Sequence, residues 1–251
     1  MRLSFILFIT ISAGFSGTLA IRSLVFPSET GPSGTLAIRS LVFPSETGPT
    51  GTLAIRSLVF PSATSTSYVE MIPQKPLSLK AFTLCMRVAT ELSGEREIIL
   101  FAYRTQDFDE LNVWKELDGR LSFYLSGDGV FFQVPGLGAL QTHLCVTWDS
   151  SSGAAALFID GRKSLTKIYR KGHTIRAGGR VLLGQDPDNY LGGFDVNQSF
   201  VGEISDVNLW DYVLSDTAVQ DMMTAKRGNV LDWETVELRP NGEVVEINVN
   251  L

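Results

Sequence analysis

The residues from Gly184 to Gln198 form the densest set of groups in this chain with types and spacing suited to chemistry. They include the carboxylates Asp186, Asp188 and Asp195, the amides Asn197 and Gln198, and the pair Gly192-Gly193. Carboxylates crowded into one ordered loop repel one another unless a cation sits among them, and a hard cation takes oxygen ligands. The chemistry implied is divalent metal binding. The plain alternative is a solvated acidic turn, because Asp, Asn and Gly favour turns on conformational grounds alone. Val181-Leu182-Leu183 precedes the loop and Phe200-Val201-Gly202-Glu203-Ile204 follows it, so two strand-like runs must hold its ends.

Those runs belong to a longer series. Phe82, Leu84, Met86 and Val88 alternate onto one face of 81–88, and further β-prone runs lie at 98–103, 110–114, 121–125, 130–134, 142–148 and 155–159. Asp118-Gly119 and Asp160-Gly161 stand where tight hairpin turns fall. Many short strands separated by turn signals predict an all-β fold, an antiparallel β-sandwich of the lectin-like jelly-roll type. One short α-helix is expected near the C-terminus, over 215–225. Ser215 is its N-cap, Asp216 suits its positive end, and Lys226-Arg227 with Gly228 close it, while Val219, Met222 and Met223 share its buried face.

Composition narrows the function. A net charge of −6 supplies no basic stripe for phosphates, which argues against nucleic acid as the main partner. Two histidines leave little for a zinc site or a His-based acid/base pair. No internal run approaches the ~20 apolar residues of a membrane span. Met1-Arg2 followed by the apolar run Leu3 to Ile11 reads as a signal peptide over 1–16, so the protein is expected to be secreted, and its two cysteines to form one disulfide. A 17-residue repeat then runs from Gly17 to Ser33, recurs from Gly34, and starts a third time at Gly51 before diverging after Ser62. The copies in 17–50 are expected to be surplus; the third is expected to supply the first strand of a domain over 51–251.

His143-Leu144-Cys145-Val146-Thr147-Trp148-Asp149-Ser150 fits a His-x-Cys-x-Ser/Thr-Trp-x-Ser pattern. Seven other segments fall in a matching order: Phe60-Pro61, Thr66 to Val69, Lys80 to Thr83, Gly184-Gln185, Gln198-Ser199, Val207 to Asp211 and Val213 to Ser215. On these residues the chain resembles the pentraxin family from about Ser57 to its C-terminus. The resemblance implies a disulfide between Cys85 and Cys145, and it makes His143 and Trp148 strand residues.

It also implies two Ca2+ ions per subunit. Asp186, Asp188, Asp195 and Gln198 fall on positions that give side-chain oxygens, and Pro187 on one that gives a backbone carbonyl. Asp186 and Asp195 stand where the family more often has glutamate. The remaining ligands are expected from Asp107-Phe108-Asp109-Glu110, where the family has Asp-Asn; Phe108 and Asp109 fall on those two positions, and Asp107 is the alternative source of the missing aspartate.

For the ligand, the resemblance places Trp114 against its head group and Tyr124 where some members have a small residue. Gly129 falls where others have a carboxylate facing choline, with Asp128 adjacent. Phosphoethanolamine or carbohydrate is thus expected at least as readily as phosphocholine. Asn197-Gln198-Ser199 is a glycosylation sequon.

The function so implied is a secreted, calcium-dependent pattern-recognition lectin of innate immunity and the acute phase, assembled as a homo-oligomeric ring, a pentamer. It binds microbial or damaged-cell surfaces and is not an enzyme. The family engages complement from the opposite face. Asp160 matches there, but Met223 replaces an aromatic residue, which weakens that expectation. Two other readings remain open: a jelly-roll glycoside hydrolase using Asp107, Asp109 and Glu110 as opposed carboxylates, and an adhesion module of the laminin-G type.

Overall fold

In the computed structural model the described residues are 56–92, 96–221 and 227–248, with strand backbone also at 11–13, 19–21, 23–27, 38–42, 54–55 and 249–250. The chain divides into two compact units, Met1–Thr52 and Leu53–Leu251. In the first, β1 (Ile11–Ala13) pairs with β2 (Leu19–Ile21), and β3 (Ser23–Pro27) with β4 (Ile38–Val42), both antiparallel. β3 and β4 come from the first two repeats. Most of the expected signal peptide lies outside the described residues.

The second unit is a sandwich of antiparallel strands. In chain order they are β5 (Ala54–Phe60), β6 (Tyr68–Ile72), β7 (Ala81–Ala89), β8 (Ile98–Arg104), β9 (Asp109–Lys115), β10 (Leu121–Leu125), β11 (Asp128–Phe132), β12 (Thr142–Asp149) and β13 (Ala154–Ile159). The short β14 (Arg162–Lys163) and β15 (Lys167–Ile168), then β16 (Arg180–Leu183) and β17 (Gly202–Trp210), precede α1 (Asp216–Gln220), β18 (Glu237–Asn241) and β19 (Val245–Asn250). One sheet runs β11-β10-β9-β8-β16-β6-β18 and the other β14-β13-β12-β7-β17-β5-β19, with β15 beside β13. The strand of the third repeat, β5, lies between β17 and β19.

Alternation explains the interior. Phe82, Leu84, Met86 and Val88 of β7 are fully buried and meet Phe101, Leu111, Val113 and Phe123 of the opposite sheet in one core cluster. The Asp160-Gly161 turn has φ of 48° and 74°, the left-handed pair that a two-residue hairpin requires. Cys85 and Cys145 stand directly opposite each other in the β7–β12 register and form a disulfide, covered with Trp210 and Val219 under the helix.

The helix is shorter than the sequence predicts. Ser215 caps it by accepting from Ala218 N at 3.1 Å, but the described turn ends at Gln220, where Asp221 takes φ −76° and ψ 79°. Arg227 pairs with Asp232 rather than with the helix end. Met222, Met223 and Lys226 lie outside the described residues. Among the described residues no helix is long and apolar enough to cross a membrane.

Candidate metal and ligand site

A β-bulge sets up the site. Tyr103 of β8 faces Leu111 of β9, both in the core, but the register shifts so that Arg104 faces Asp109. The extra residue is Glu110, and without it strict alternation would turn Asp109 into the core. With it, Asp109 shares the outer face of the sheet with Arg104 and Asn112. Arg104 Nη1 donates to Asp109 Oδ1, and Asn112 Nδ2 donates to Asp186 Oδ1 at 2.8 Å.

Asp186 enters from the loop after β16 and is only 9% exposed. Burial, reinforced by the charges of Asp109 and Asp188, pushes its carboxyl up to about 7; the Arg104 charge and the Asn112 hydrogen bond oppose that rise. Ionised Asp186 therefore works against the fold above the ordinary carboxylate range, unless a positive ion offsets the crowding. Buried oxygen donors of this kind fit a hard divalent cation. Asp107, by contrast, lies in the exposed bend before β9. Asp109 is the member of that turn that acts on Asp186.

The rest of the loop is pinned at several points. Asn189 N donates to Gly192 O at 3.1 Å, and the space a Gly193 Cβ would fill is 2.8 Å from Asp188 Cβ, so the two limbs touch. Phe194 packs on Tyr68, ring centroids 5.2 Å apart. Asp195 is exposed and accepts from Asn197 N at 2.8 Å and Nδ2 at 3.0 Å. Gln198 is half-buried, and its carbonyl accepts from Ile99 N of β8 at 3.1 Å. Arg96 donates to the carbonyls of Val196, Asn197 and Ser199. Pro187 is buried and Asp188 exposed. The structure thus brings Asp109 and Asp188 within electrostatic reach of Asp186, and holds Asp195 and Gln198 at the loop's far end.

Gly184 starts the loop with φ +92°, and a Cβ there would stand 2.3 Å from Phe60 Cε1. Phe60 is fully packed, edge-on to Phe200. Gly184→Ala is therefore expected to lower stability by about 2–4 kcal/mol through backbone strain and overpacking. Urea denaturation of the two proteins measures it.

Beside the acidic groups runs an aromatic surface. Trp114 is 9% exposed and clusters with Ile99, Ala102 and Leu182, flanked by Tyr68, Tyr124 and Phe194. Strand packing accounts for most of its surface. Tyr124, opposite Asn112, lies over Gly129, where an added Cβ would be 2.7 Å from its ring. Its hydroxyl donates to Glu116 Oε1 at 3.2 Å, and burial together with the Glu116 charge pushes it up to about 12. The neighbouring carboxylate on this surface is therefore Glu116. Asp128 faces elsewhere: it pairs with core-facing Leu125, and its carboxylate lies 3.8 Å from Arg170.

The hydrolase arrangement does not form. Asp107 precedes the strand, Asp109 is engaged by Arg104, and Glu110 is fully buried against Arg176, 3.0 Å away. Among the described residues, the ligand-type atoms gathered within 4.8 Å are those of Cys85, His143 and Cys145. Both sulfurs there are committed to the disulfide and cannot serve as thiolate ligands. Asp109, Asp186 and Asp188 are not drawn into so tight a group.

Sequence reasoning missed Asn112, Glu116, Arg104 and Arg96. Asn112 and Trp114 share a face of β9 opposite Leu111 and Val113, so an amide inside the buried stretch Glu110 to Trp114 was the available signal. Arg96 carried no local signal, since it acts on a segment about 100 residues away; Arg104 lies five residues before Asp109, but only the register shift sets the two opposite each other.

The model of the Pentaxin family matches residues 56–247. C-reactive protein of Danio rerio is 57% identical over 188 residues, covering 72% of this chain and 84% of that protein. C-reactive protein of Homo sapiens is 36% identical over 185 residues, covering 72% and 82%. The native heptameric SAP-like pentraxin from Limulus polyphemus superposes with a TM-score of 0.68 at 23% identity, covering 76% of this chain and 94% of that one. A sandwich of this topology, a family match across nearly the whole second unit and relatives this similar establish that the chain belongs to the pentraxin family.

Proposed function

We propose that this pentraxin is a secreted, calcium-dependent pattern-recognition lectin that binds phosphate-bearing head groups or carbohydrate. The observation that carries the calcium assignment is Asp186: a carboxyl buried among Asp109 and Asp188 and held by Asn112. In this reading the two Ca2+ ions take oxygens from Asp109, Asp186, Asp188, Asp195 and Gln198, and the carbonyl of Pro187. Asp107 is the alternative to Asp109. A cation with open positions binds ligand phosphate oxygens directly, and Tyr124, Trp114 and Glu116 shape the space beside it. Tyr124 over Gly129 narrows that space, which favours phosphoethanolamine over the bulkier phosphocholine. Elution by EDTA from phosphoethanolamine and phosphocholine columns tests this. Retention that survives EDTA refutes the calcium requirement.

The reading is of binding rather than catalysis, since Asp109 and Glu110 are both neutralised by arginines. Polysaccharide cleavage persisting in EDTA would overturn it. Pentraxin membership stands in place of the laminin-G-type alternative. A ring of identical subunits, five by expectation, lets individually weak sites act together on one surface. The Limulus protein supports a ring by being heptameric. Light scattering of the secreted protein is expected to give a closed oligomer; a monomer would count against it.

Residues 1–16 are proposed to be removed on secretion, leaving the copies in 17–50 as additions to a domain over 51–251. A glycan on exposed Asn197 would displace its side-chain bond to Asp195. Intact mass reads both. Complement binding is left out of the proposal: the Asp160 carboxylate accepts from His143 N at 2.9 Å, and Met223 lies outside the described residues.

A further inference from the structure

We propose that Arg104 is an internal counter-ion of the acidic site: its guanidinium stands among the carboxylates in the metal-free protein, and a divalent cation must displace it from Asp109 to bind. This inference rests on the calcium reading of the site. The bulge places Arg104 on the outer face directly opposite Asp109, and only 14% of its side chain is exposed. It donates to Asp109 on β9, the strand whose Asn112 holds Asp186 at 2.8 Å. Yet its Nε is buried without a hydrogen-bond partner. A buried N–H of this kind carries a desolvation cost, which offsets part of what the ion pair to Asp109 contributes.

The other neighbour of Arg104 points the same way. In the β8–β16 register it stands opposite Arg180, a like charge on the same face. Arg180 is spoken for, by Glu70 at 3.2 Å and by the ring of Tyr190 at 5.1 Å. Repulsion from Arg180 therefore leans Arg104 towards Asp109. A guanidinium carries one charge in a planar fork, whereas a Ca2+ ion carries two and draws six to eight oxygens inward. A guanidinium and a Ca2+ ion drawn to one carboxylate repel each other at a few ångströms, so the two compete for Asp109. The arginine keeps the empty site folded, at the expense of metal affinity.

Calcium titration of the full chain, by calorimetry and by displacement of luminescent terbium, is compared for the wild type, Arg104→Gln and Arg104→Lys, with urea denaturation in EDTA alongside. Arg104→Gln is expected to bind calcium roughly tenfold more tightly, because a positive charge a few ångströms from the ion is gone. It is also expected to unfold at lower urea in EDTA. Arg104→Lys retains the charge and should stay near the wild type in affinity. Arg104→Met, which keeps the apolar stem, is read in the same way if the glutamine variant does not fold. Equal or weaker calcium binding by the neutral variants makes Arg104 a purely structural partner of Asp109 and overturns the inference, while leaving the calcium reading intact. If neither the wild type nor any variant binds calcium, the calcium reading falls and this inference with it.

Discussion

Asp188→Ala is expected to weaken calcium binding by roughly two orders of magnitude and to abolish calcium-dependent retention on phosphoethanolamine, with the urea midpoint in EDTA unchanged or slightly raised. The side chain is exposed, so its removal leaves no cavity. Its charge raises the Asp186 carboxyl, so removing it also relieves repulsion in the metal-free site. The variant thus separates the proposed metal site from the fold, which Asp186→Ala would not, since Asp186 is buried and bonded to Asn112. Asp149→Ala is a suitable control. That carboxyl lies on β12 of the other sheet, where the hydroxyls of Ser152 and Ser151 hold it down at about 2. Calcium affinity should not respond to its loss. If Asp188→Ala bound calcium like the wild type, the loop would not be the metal site.

The second large effect concerns the disulfide. Cys85 and Cys145 are 60 residues apart in sequence, and closing a loop of that size stabilises the fold by about 4 kcal/mol in the chain-entropy model. Cys85→Ala/Cys145→Ala is therefore expected to lose about that much, measured by urea denaturation. The strands it joins are already paired over eight registered positions, from Thr142↔Val88 to Asp149↔Ala81, so the variant should keep its sheet order and ligand binding. A loss below about 1 kcal/mol would mean that the unfolded chain is restricted by something other than the cross-link.

Much of this fold was legible because alternation is a local property. The runs at 81–88, 98–103, 121–125 and 142–148 became β7, β8, β10 and β12 with only small shifts at their ends. β18 and β19 were not read, because Glu237–Asn241 and Val245–Asn250 are largely polar edge strands whose partners lie far away in sequence, β6 and β5. The acidic loop was legible from its composition, and the family segments supplied the order of the ligands expected in it. The bulge was not, since Asp109-Glu110-Leu111-Asn112 has the same pattern with or without a register shift. That shift decides which carboxylate faces Asp186, and it buries Glu110 against Arg176. The carboxylates of the hydrolase alternative part at the same place, Asp109 to Arg104 and Glu110 to Arg176.

The position of β5 between β17 and β19 bears on how the chain is made. Its partners begin at Gly202 and Val245, so the first strand of the sandwich waits for nearly the whole domain to be synthesised before either neighbour exists. Pairings so distant in sequence form slowly, and until they form Leu58, Val59 and Phe60 present an unpaired apolar edge. The repeats upstream carry the same Leu-Val-Phe sequence. The nascent chain therefore holds three copies of one strand sequence before that slot is built, and mispairing by the upstream two is the expected kinetic hazard. Deleting 17–50 is expected to raise the yield of soluble, correctly paired protein without altering its equilibrium stability, a difference that refolding yield and urea denaturation separate.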